Sequence, residues 1–198
     1  MSTFKIERAT PLETVLELSA HDLVDLDAQI KVEWIETPVG PLLAGATESA
    51  LVLLEFSERS ILQQQLASIR RRFNTAIRQG TNRWLDALQQ QLGEYFAQRR
   101  RQFELPLAYP GTPFQERVWS KLLTIPYGQT WSYLEMARSL GDIKATRAVG
   151  TANGMNRIAI IIPCHRVINA NGKLGGYGGG LWRKQLLLDL ERGQRTLV

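Results

Sequence analysis

The chain has 198 residues, enough for one domain or two small ones with a buried apolar core. Hydrophobic residues make up 44% and charged residues 22%, which excludes global disorder. One cysteine and two histidines exclude an internal disulfide and a structural zinc site, so we expect no bound metal. No apolar run approaches the roughly 18 residues of a membrane span, and the start lacks a signal-peptide pattern. We therefore expect a cytoplasmic protein with no membrane contact.

The formal net charge of +5 is concentrated toward the C-terminus. Residues 111–198 hold twelve Lys and Arg against five Asp and Glu, whereas residues 1–110 hold twelve against fourteen. A site for a polyanion is therefore expected in the C-terminal half. Two arginine triplets in the other half, Arg70–Arg72 and Arg99–Arg101, are interpreted as solvated helix faces.

The N-terminal half predicts a small sheet followed by two helices. Residues 1–29 alternate acidic and apolar residues without clean strand spacing, and we interpret them as a weakly helical or irregular extension of unknown role. From Ile30 to Phe56, β-branched and apolar residues interrupted by proline and glycine predict a short meander of strands. Helical spacing predicts one helix from Ile61 to about Ile77 and another from Asn82 to about Arg100.

A stretch containing two prolines, Phe103 to Gly111, predicts a linker between two units. We place one domain at residues 30–105 and a second at residues 111–198. The second begins with a strong helix start at Thr112–Gln115, which offers a Thr cap, Pro at the first helical position and Gln three residues after the cap. This helix is expected to end before Pro126.

Two short helices follow. Ser132 and Glu135 form a second capping box, and the helix they open is expected to end at Gly141. The next helix, Lys144–Asn153, consists largely of small residues with Arg147 as the long side chain near its middle. A tight turn between two short helices is typical of a helix-turn-helix. The same spacing also fits helix packing without DNA, so both interpretations stay open at this point.

The single cysteine follows an apolar run. Ile158–Ile162 ends at Pro163 and predicts a buried strand or extended stretch that places Cys164. A lone buried cysteine is often an inert small hydrophobe, but His165 and Arg166 follow directly. An imidazole and a positive charge lower the pKa of a thiol from about 8.5 toward neutrality. Neighbouring side chains of an extended segment point to opposite faces, so we expect a water to link cysteine and histidine.

A glycine-rich stretch, Gly175–Gly180, predicts a flexible binding loop. Leu181 and Trp182 stand where a phosphate-binding loop requires Lys and Ser or Thr. No GxGxxG register is present either. The sequence therefore excludes a nucleotide P-loop and a dinucleotide fingerprint.

The run Pro163–Val167, PCHRV, resembles the active-site signature of the O6-alkylguanine-DNA alkyltransferases, also called methylated-DNA–protein-cysteine methyltransferases. The resemblance is tight over about residues 111–191 and looser from Ile30. It implies an α/β fold with an N-terminal ribonuclease H-like α/β domain. The C-terminal domain is then mainly helical and winged-helix-like, with a helix-turn-helix. Matching positions outside the signature are Tyr133, Arg147–Gly150, Asn156, Tyr177, Gly179–Gly180, Lys184 and Glu191.

The resemblance assigns chemical roles. Cys164 looks like the alkyl acceptor, His165 the water-linked base, and Glu191 the carboxylate that orients the histidine. Asn156 resembles the asparagine that braces the cysteine segment against the second helix of the helix-turn-helix. Tyr133 resembles the tyrosine that donates to purine N3, so that guanine leaves as a neutral base. Lys184 completes this catalytic set.

The resemblance also implies two sets of contact residues. Arg147 looks like the arginine that enters the duplex in place of the extruded nucleotide, with small residues around it in the minor groove. Family members often have Ser at the position of Gly178 and Pro at that of Ala159, so we predict a roomier pocket that accepts alkyl groups larger than methyl. The implied DNA contacts are Ser132, Ala145, Thr146, Arg147, Ala148 and Thr151. The implied alkylguanine pocket is Ala159, Ile162, Pro163, Tyr177, Gly178 and Gly179.

By this resemblance the protein is a suicide DNA-repair protein that moves an alkyl group from O6-alkylguanine in double-stranded DNA to its own cysteine. It is expected to act once per molecule, as a monomer and without a cofactor. Repair of O4-alkylthymine and cooperative binding along DNA stay open. Three alternatives are an unreactive lesion-binding protein, a Cys-His hydrolase that turns over, and a regulatory DNA-binding module.

Overall fold

A four-stranded sheet forms the base of the N-terminal domain. The computed structural model describes residues 29–194, so the predicted extension at residues 1–29 lies outside the described residues except for Gln29. The predicted meander is confirmed: successive strands pair antiparallel, and a fourth strand pairs parallel with the first, giving the order β3-β2-β1-β4. The strands are β1 (Gln29–Ile35), β2 (Leu42–Ala46), β3 (Leu51–Phe56) and β4 (Ala76–Gln79).

Two amphipathic helices cover the two faces of this sheet. α1 (Leu62–Phe73) packs in a cluster with Leu43 and Leu53, whereas α2 (Arg83–Phe96) packs in a second cluster with Leu42 and Leu54. Adjacent residues of a strand point to opposite faces, so the two helices lie on opposite sides.

Both helices end earlier than predicted. The first ends at Phe73, where Asn74 has a left-handed backbone with φ of 47°, and Ala76 and Ile77 belong to β4 instead. The second ends at Phe96 instead of about Arg100. The predicted helix α1 is too long because the residues after it form a strand. That strand is defined by its pairing with β1, which is distant in sequence.

The C-terminal domain is mainly helical, as predicted. Both predicted capping boxes are present, Thr112 with Gln115 and Ser132 with Glu135. The two short helices pack together across a 3-10 turn at Ile143–Ala145 and bury small and medium apolar side chains. The elements are α3 (Pro113–Leu122), β5 (Trp131–Ser132), α4 (Tyr133–Ser139), α5 (Thr146–Gly154), β6 (Val167–Ile168) and α6 (Leu181–Glu191).

The apolar run before the cysteine is buried, but it is not a strand. Ile158 makes an isolated parallel bridge to Leu54, and the chain then turns tightly through Ile160, whose φ is 70°. The amide of Ile162 returns to the carbonyl of Ile158 at 3.0 Å. The prediction of an extended stretch is therefore wrong, because the segment docks on the outer edge of β3 and then folds back on itself. The cysteine itself begins a 3-10 turn, Cys164–Arg166.

The predicted linker is also held on that edge. Leu51 in β3 donates to the carbonyl of Pro106 at 2.9 Å and accepts from the amide of Ala108 at 2.9 Å. Together with the bridge at Leu54, these bonds cover the edge of β3, which pairs with only one strand. One apolar cluster runs through both domains, so the cysteine segment is set against the sheet. No helix within residues 29–194 combines the length and apolar character needed to cross a bilayer.

Candidate active site

A cavity of about 160 Å³ lies between the two domains, and Cys164 forms part of its wall. Seven of the predicted site residues line it: Tyr133, Asn156, Ala159, Cys164, Tyr177, Gly178 and Gly179. Ile162 and Pro163, predicted as pocket residues, are buried behind the cysteine and do not line it. Gly150 from the matching run Arg147–Gly150 and Gly176 from the predicted binding loop also line the cavity. The sequence did not point to the remaining lining residues, which are Glu55, Phe56, Arg59, Asn153 and Gly154.

Asn156 fixes the sulfur. Its Nδ2 lies 3.1 Å from Sγ of Cys164 and 2.8 Å from the carbonyl of Ile162, while its Oδ1 accepts from the amide of Ile158 at 3.0 Å. Nearby, Asn153 at the end of α5 donates to the carbonyl of Cys164 at 3.2 Å. Two asparagines thus connect α5 and the residues after it to the cysteine turn.

The thiol has a higher pKa than the sequence predicted. Burial raises the pKa of Cys164, and the hydrogen bond from Asn156 offsets only part of this effect. Arg166, expected beside the sulfur, instead donates to Glu191 and to the carbonyl of Ile125. The predicted depression of the thiol pKa is therefore wrong, and the resting site holds a neutral thiol at neutral pH.

His165 is buried in a neutral form with a free ring nitrogen. Its Nε2 lies 2.8 Å from Oε1 of Glu191, and its Nδ1 has no hydrogen-bond partner within residues 29–194. Burial lowers the pKa of His165 despite the nearby carboxylate, so the imidazole is uncharged at neutral pH. Because the carboxylate accepts the Nε2 proton, Nδ1 carries a lone pair that can take another proton.

Glu191 gathers five donors. Besides His165, it accepts two bonds from Arg166, at 2.8 and 2.9 Å, one from the hydroxyl of Tyr95 at 2.8 Å, and one from the amide of Gly128 at 3.1 Å. Burial alone favours a higher pKa for Glu191, but His165 and Arg166 outweigh it and hold the pKa well below its usual range. The carboxylate is therefore ionised and fixed.

The glycine-rich loop is held by Lys184. Its ammonium group donates to the carbonyls of Val167 at 2.6 Å, of Gly176 at 3.2 Å and of Leu174. Burial lowers the pKa of Lys184 to about 8. Lys184 thus positions the loop and does not line the cavity.

Two tyrosines face the cavity. The hydroxyl of Tyr133 donates to the carbonyl of Gly176 at 3.3 Å, and burial raises its pKa, so it stays a proton donor at neutral pH. The buried hydroxyl of Tyr177 has no hydrogen-bond partner among the residues that the structure describes, and its ring stands edge-on to Phe56.

The predicted DNA-contact residues divide by exposure. Arg147, Ala148 and Thr151 are exposed on α5, and Ala145 and Thr146 are half-buried at its start. Ser132 is buried, and its hydroxyl is taken up by the capping box with Glu135. A shallow hollow beside Arg147 is bordered by Tyr133, Leu134, Thr146, Gly150, Asn169 and Ala170.

Sequence reasoning missed the N-terminal residues of the site. Tyr95 lies in the helix predicted from Asn82, and its ring is part of the core, but its hydroxyl reaches the carboxylate of Glu191. The sequence does carry a signal for Glu55, because an acidic residue inside the apolar run of β3 is unfavourable when buried unless it has a partner. No local signal pointed to Arg59.

Comparison with known proteins gives consistent matches. Residues 30–109 match the description "6-O-methylguanine DNA methyltransferase, ribonuclease-like domain", and residues 113–193 match "6-O-methylguanine DNA methyltransferase, DNA binding domain". A methylated-DNA–protein-cysteine methyltransferase of Mycolicibacterium paratuberculosis is 60% identical over 103 residues, 52% of this chain and 62% of that protein. One of Mycobacterium bovis is 46% identical over 158 residues, 80% of this chain and 90% of that protein. Among solved structures, this chain is similar to the protein in the crystal structure of Mycobacterium tuberculosis OGT in complex with DNA. The two share 43% sequence identity and a TM-score of 0.71, and the match covers 85% of this chain and 98% of that one.

Proposed function

Because the chain belongs to the 6-O-methylguanine DNA methyltransferase family, we propose that it removes the alkyl group from O6-alkylguanine in double-stranded DNA and keeps it on Cys164. The observation that carries this proposal is the position of the sulfur in the wall of the cavity. The next residue, His165, has a lone pair on Nδ1 that can accept the proton of the thiol. A single sulfur is the acceptor, so each molecule acts once. No cofactor is required for this displacement.

The thiol must first lose its proton, because burial keeps it neutral. We assign that proton to Nδ1 of His165, through a water, since Nε2 is already bonded to Glu191. The ionised Glu191 stabilises the resulting imidazolium. The pair of Arg166 and Glu191 keeps the carboxylate from rotating.

The thiolate then attacks the alkyl carbon. The new S–C bond forms as the C–O6 bond breaks, and the bonding electrons move onto the guanine ring. A hydrogen bond from Tyr133 to purine N3 stabilises this developing charge, which suits a tyrosine that remains protonated. The product is a thioether, which has no easy hydrolytic exit. The guanine anion takes up one proton, which replaces the proton that His165 removed from the thiol, so that neutral guanine is restored and the imidazole is neutral again.

DNA binding is assigned to α5. Apart from Arg147, the exposed residues of α5 have small side chains. Such a surface can approach a DNA groove closely, with the one long side chain inserted. The target base must leave the stack to reach a cavity between domains, at a cost of a few kcal/mol. We propose that α5 binds in the minor groove, that the target base is flipped out of the duplex, and that the protein acts as a monomer.

Stoichiometry tests the proposal. A fixed amount of protein is mixed with increasing amounts of duplex containing O6-methylguanine, and restored guanine is counted by chromatography. One lesion repaired per molecule, with none for Cys164→Ala, is expected. Continued turnover supports the hydrolase alternative instead, and binding without repair supports the lesion-binding protein. A parallel duplex with O4-methylthymine measures whether that lesion is a second substrate.

A further inference from the structure

Arg59 reaches into the wall of the cavity from the N-terminal domain. It follows β3, and its side chain is 10% exposed. Its Nη1 donates to the carboxylate of Glu55 and, at 3.1 Å, to the carbonyl of Asn156, while Nη2 donates to the carbonyl of Gly154. The guanidinium therefore connects β3 with the end of α5 across the cavity that holds the sulfur.

A buried network keeps the guanidinium in place. Glu55 is fully buried, and besides Arg59 it accepts from the amide of Phe56 at 3.0 Å and from Nε2 of Gln65 at 3.0 Å. Because both charged side chains make further hydrogen bonds, their conformations are restricted, unlike that of an arginine on an open surface. Arg59 is thus a fixed part of the wall.

Arg59 also occupies the space next to Gly178. A β-carbon built on Gly178 lies 2.6 Å from Cζ and 2.7 Å from Nε of Arg59, closer than atoms can approach. The predicted extra room at Gly178 is therefore absent, because the guanidinium fills it. Gly178 has no side chain, and the guanidinium of Arg59 from the other domain occupies the space that a side chain there would need.

We infer that Arg59, held by Glu55 and matched to Gly178, sets the size of the alkyl group that the cavity accepts. This inference rests on the proposed function and adds the residue that decides its substrate range. The carboxylate of Glu55 balances the charge of the Arg59 guanidinium, so the selection is by volume. Methyl groups are then favoured over bulky ones such as benzyl.

The main test compares reaction rates on duplexes containing O6-methylguanine and O6-benzylguanine. Removing Arg59 alone leaves Glu55 unpaired, so the variant is Glu55→Gln with Arg59→Ala, and Glu55→Gln is its control. We expect the benzyl-to-methyl rate ratio to rise about tenfold or more in the double variant, the scale of pocket-size selection. An unchanged ratio overturns the inference.

A second variant keeps the test valid if the double variant fails to fold. Gly178→Ser in the otherwise unchanged chain pushes the guanidinium into the cavity and should lower the benzyl rate more than the methyl rate. Gly93→Ser is the control, since Gly93 is exposed on α2, does not line the cavity, and a β-carbon there meets nothing within 4 Å. Equal effects of both serines on the rate ratio overturn the inference. Absence of methyl transfer in the unchanged protein contradicts the proposed function instead, so the two failures are distinguishable.

Discussion

The hydroxyl of Tyr95 donates to Oε1 of Glu191 at 2.8 Å, although the two residues are 96 positions apart and belong to different domains. The same oxygen lies 2.8 Å from Nε2 of His165. The N-terminal domain therefore helps to fix the carboxylate that orients the histidine. It is part of the reactive site as well as a support for it.

Tyr95→Phe tests this contact between domains. Removing the hydroxyl deletes a hydrogen bond to a charged acceptor, so we expect a loss of about 1.5–3 kcal/mol in the free energy of unfolding, measured in urea. Alkyl transfer should slow as well, because Glu191 loses one of its donors. Tyr109→Phe, which removes an exposed hydrogen bond between the hydroxyls of Tyr109 and Ser120, is the control. Equal stability of Tyr95→Phe and the unchanged protein contradicts the account.

Glu191→Gln should destabilise the protein in a pH-dependent way. Arg166 is left buried without its counter-charge, which costs about 3–5 kcal/mol at pH 7. The pKa of Glu191 is depressed in the folded protein, so its contribution is complete above its unfolded pKa of about 4.3 and declines below that pH. Urea unfolding of both proteins between pH 3 and pH 7, at roughly unit intervals, measures this. A stability difference that grows as the pH falls below that value is the contrary result.

The thiol pKa can be measured directly. Burial raises the pKa of Cys164, so its reaction with iodoacetamide should have a midpoint above the ordinary value of about 8.5. Asn156→Ala removes a bond that favours the thiolate and should move the midpoint higher. Mass spectrometry of samples quenched at each pH gives the rates. Full reactivity near pH 6 in the free protein is incompatible with this site.

Arg147→Ala should impair reaction with duplex DNA but not with the free base O6-methylguanine. The exposed side chain lies on α5 beside the shallow hollow, which shares Tyr133 and Gly150 with the wall of the cavity, and Arg147 itself does not line the cavity. We expect about a tenfold or larger loss on the duplex, corresponding to roughly 1.4 kcal/mol or more of lost binding. Arg71→Ala, an exposed arginine of α1, makes the same change of charge elsewhere. Equal losses in both variants mean that charge alone is involved.

Local signals predicted the local features. The two capping boxes each depend on bonds between residues three apart, and both appear where the sequence placed them. Cys164 and His165 stood out as neighbours that share a family signature. The sheet meander followed from its own turn residues, Pro38 and Gly40.

Contacts distant in sequence could not be predicted in this way. The start of β4, Ala76 and Ile77, was predicted as helix because only its pairing with β1 makes it a strand. The turn at Ile160 forms because the run docks on β3 and then folds back. Arg59 meets its partners near Asn156 from 97 positions away, and no spacing rule connects them.

The central claim is that the alkyl group ends on the sulfur of Cys164, and peptide mapping tests it most directly. The protein is mixed with a duplex containing O6-methylguanine, digested, and the fragments are sequenced by tandem mass spectrometry. The account predicts that the peptide with Cys164 gains the mass of one CH₂ group, and that no other peptide does. A methyl group found elsewhere, or on no peptide while the lesion is repaired, contradicts it.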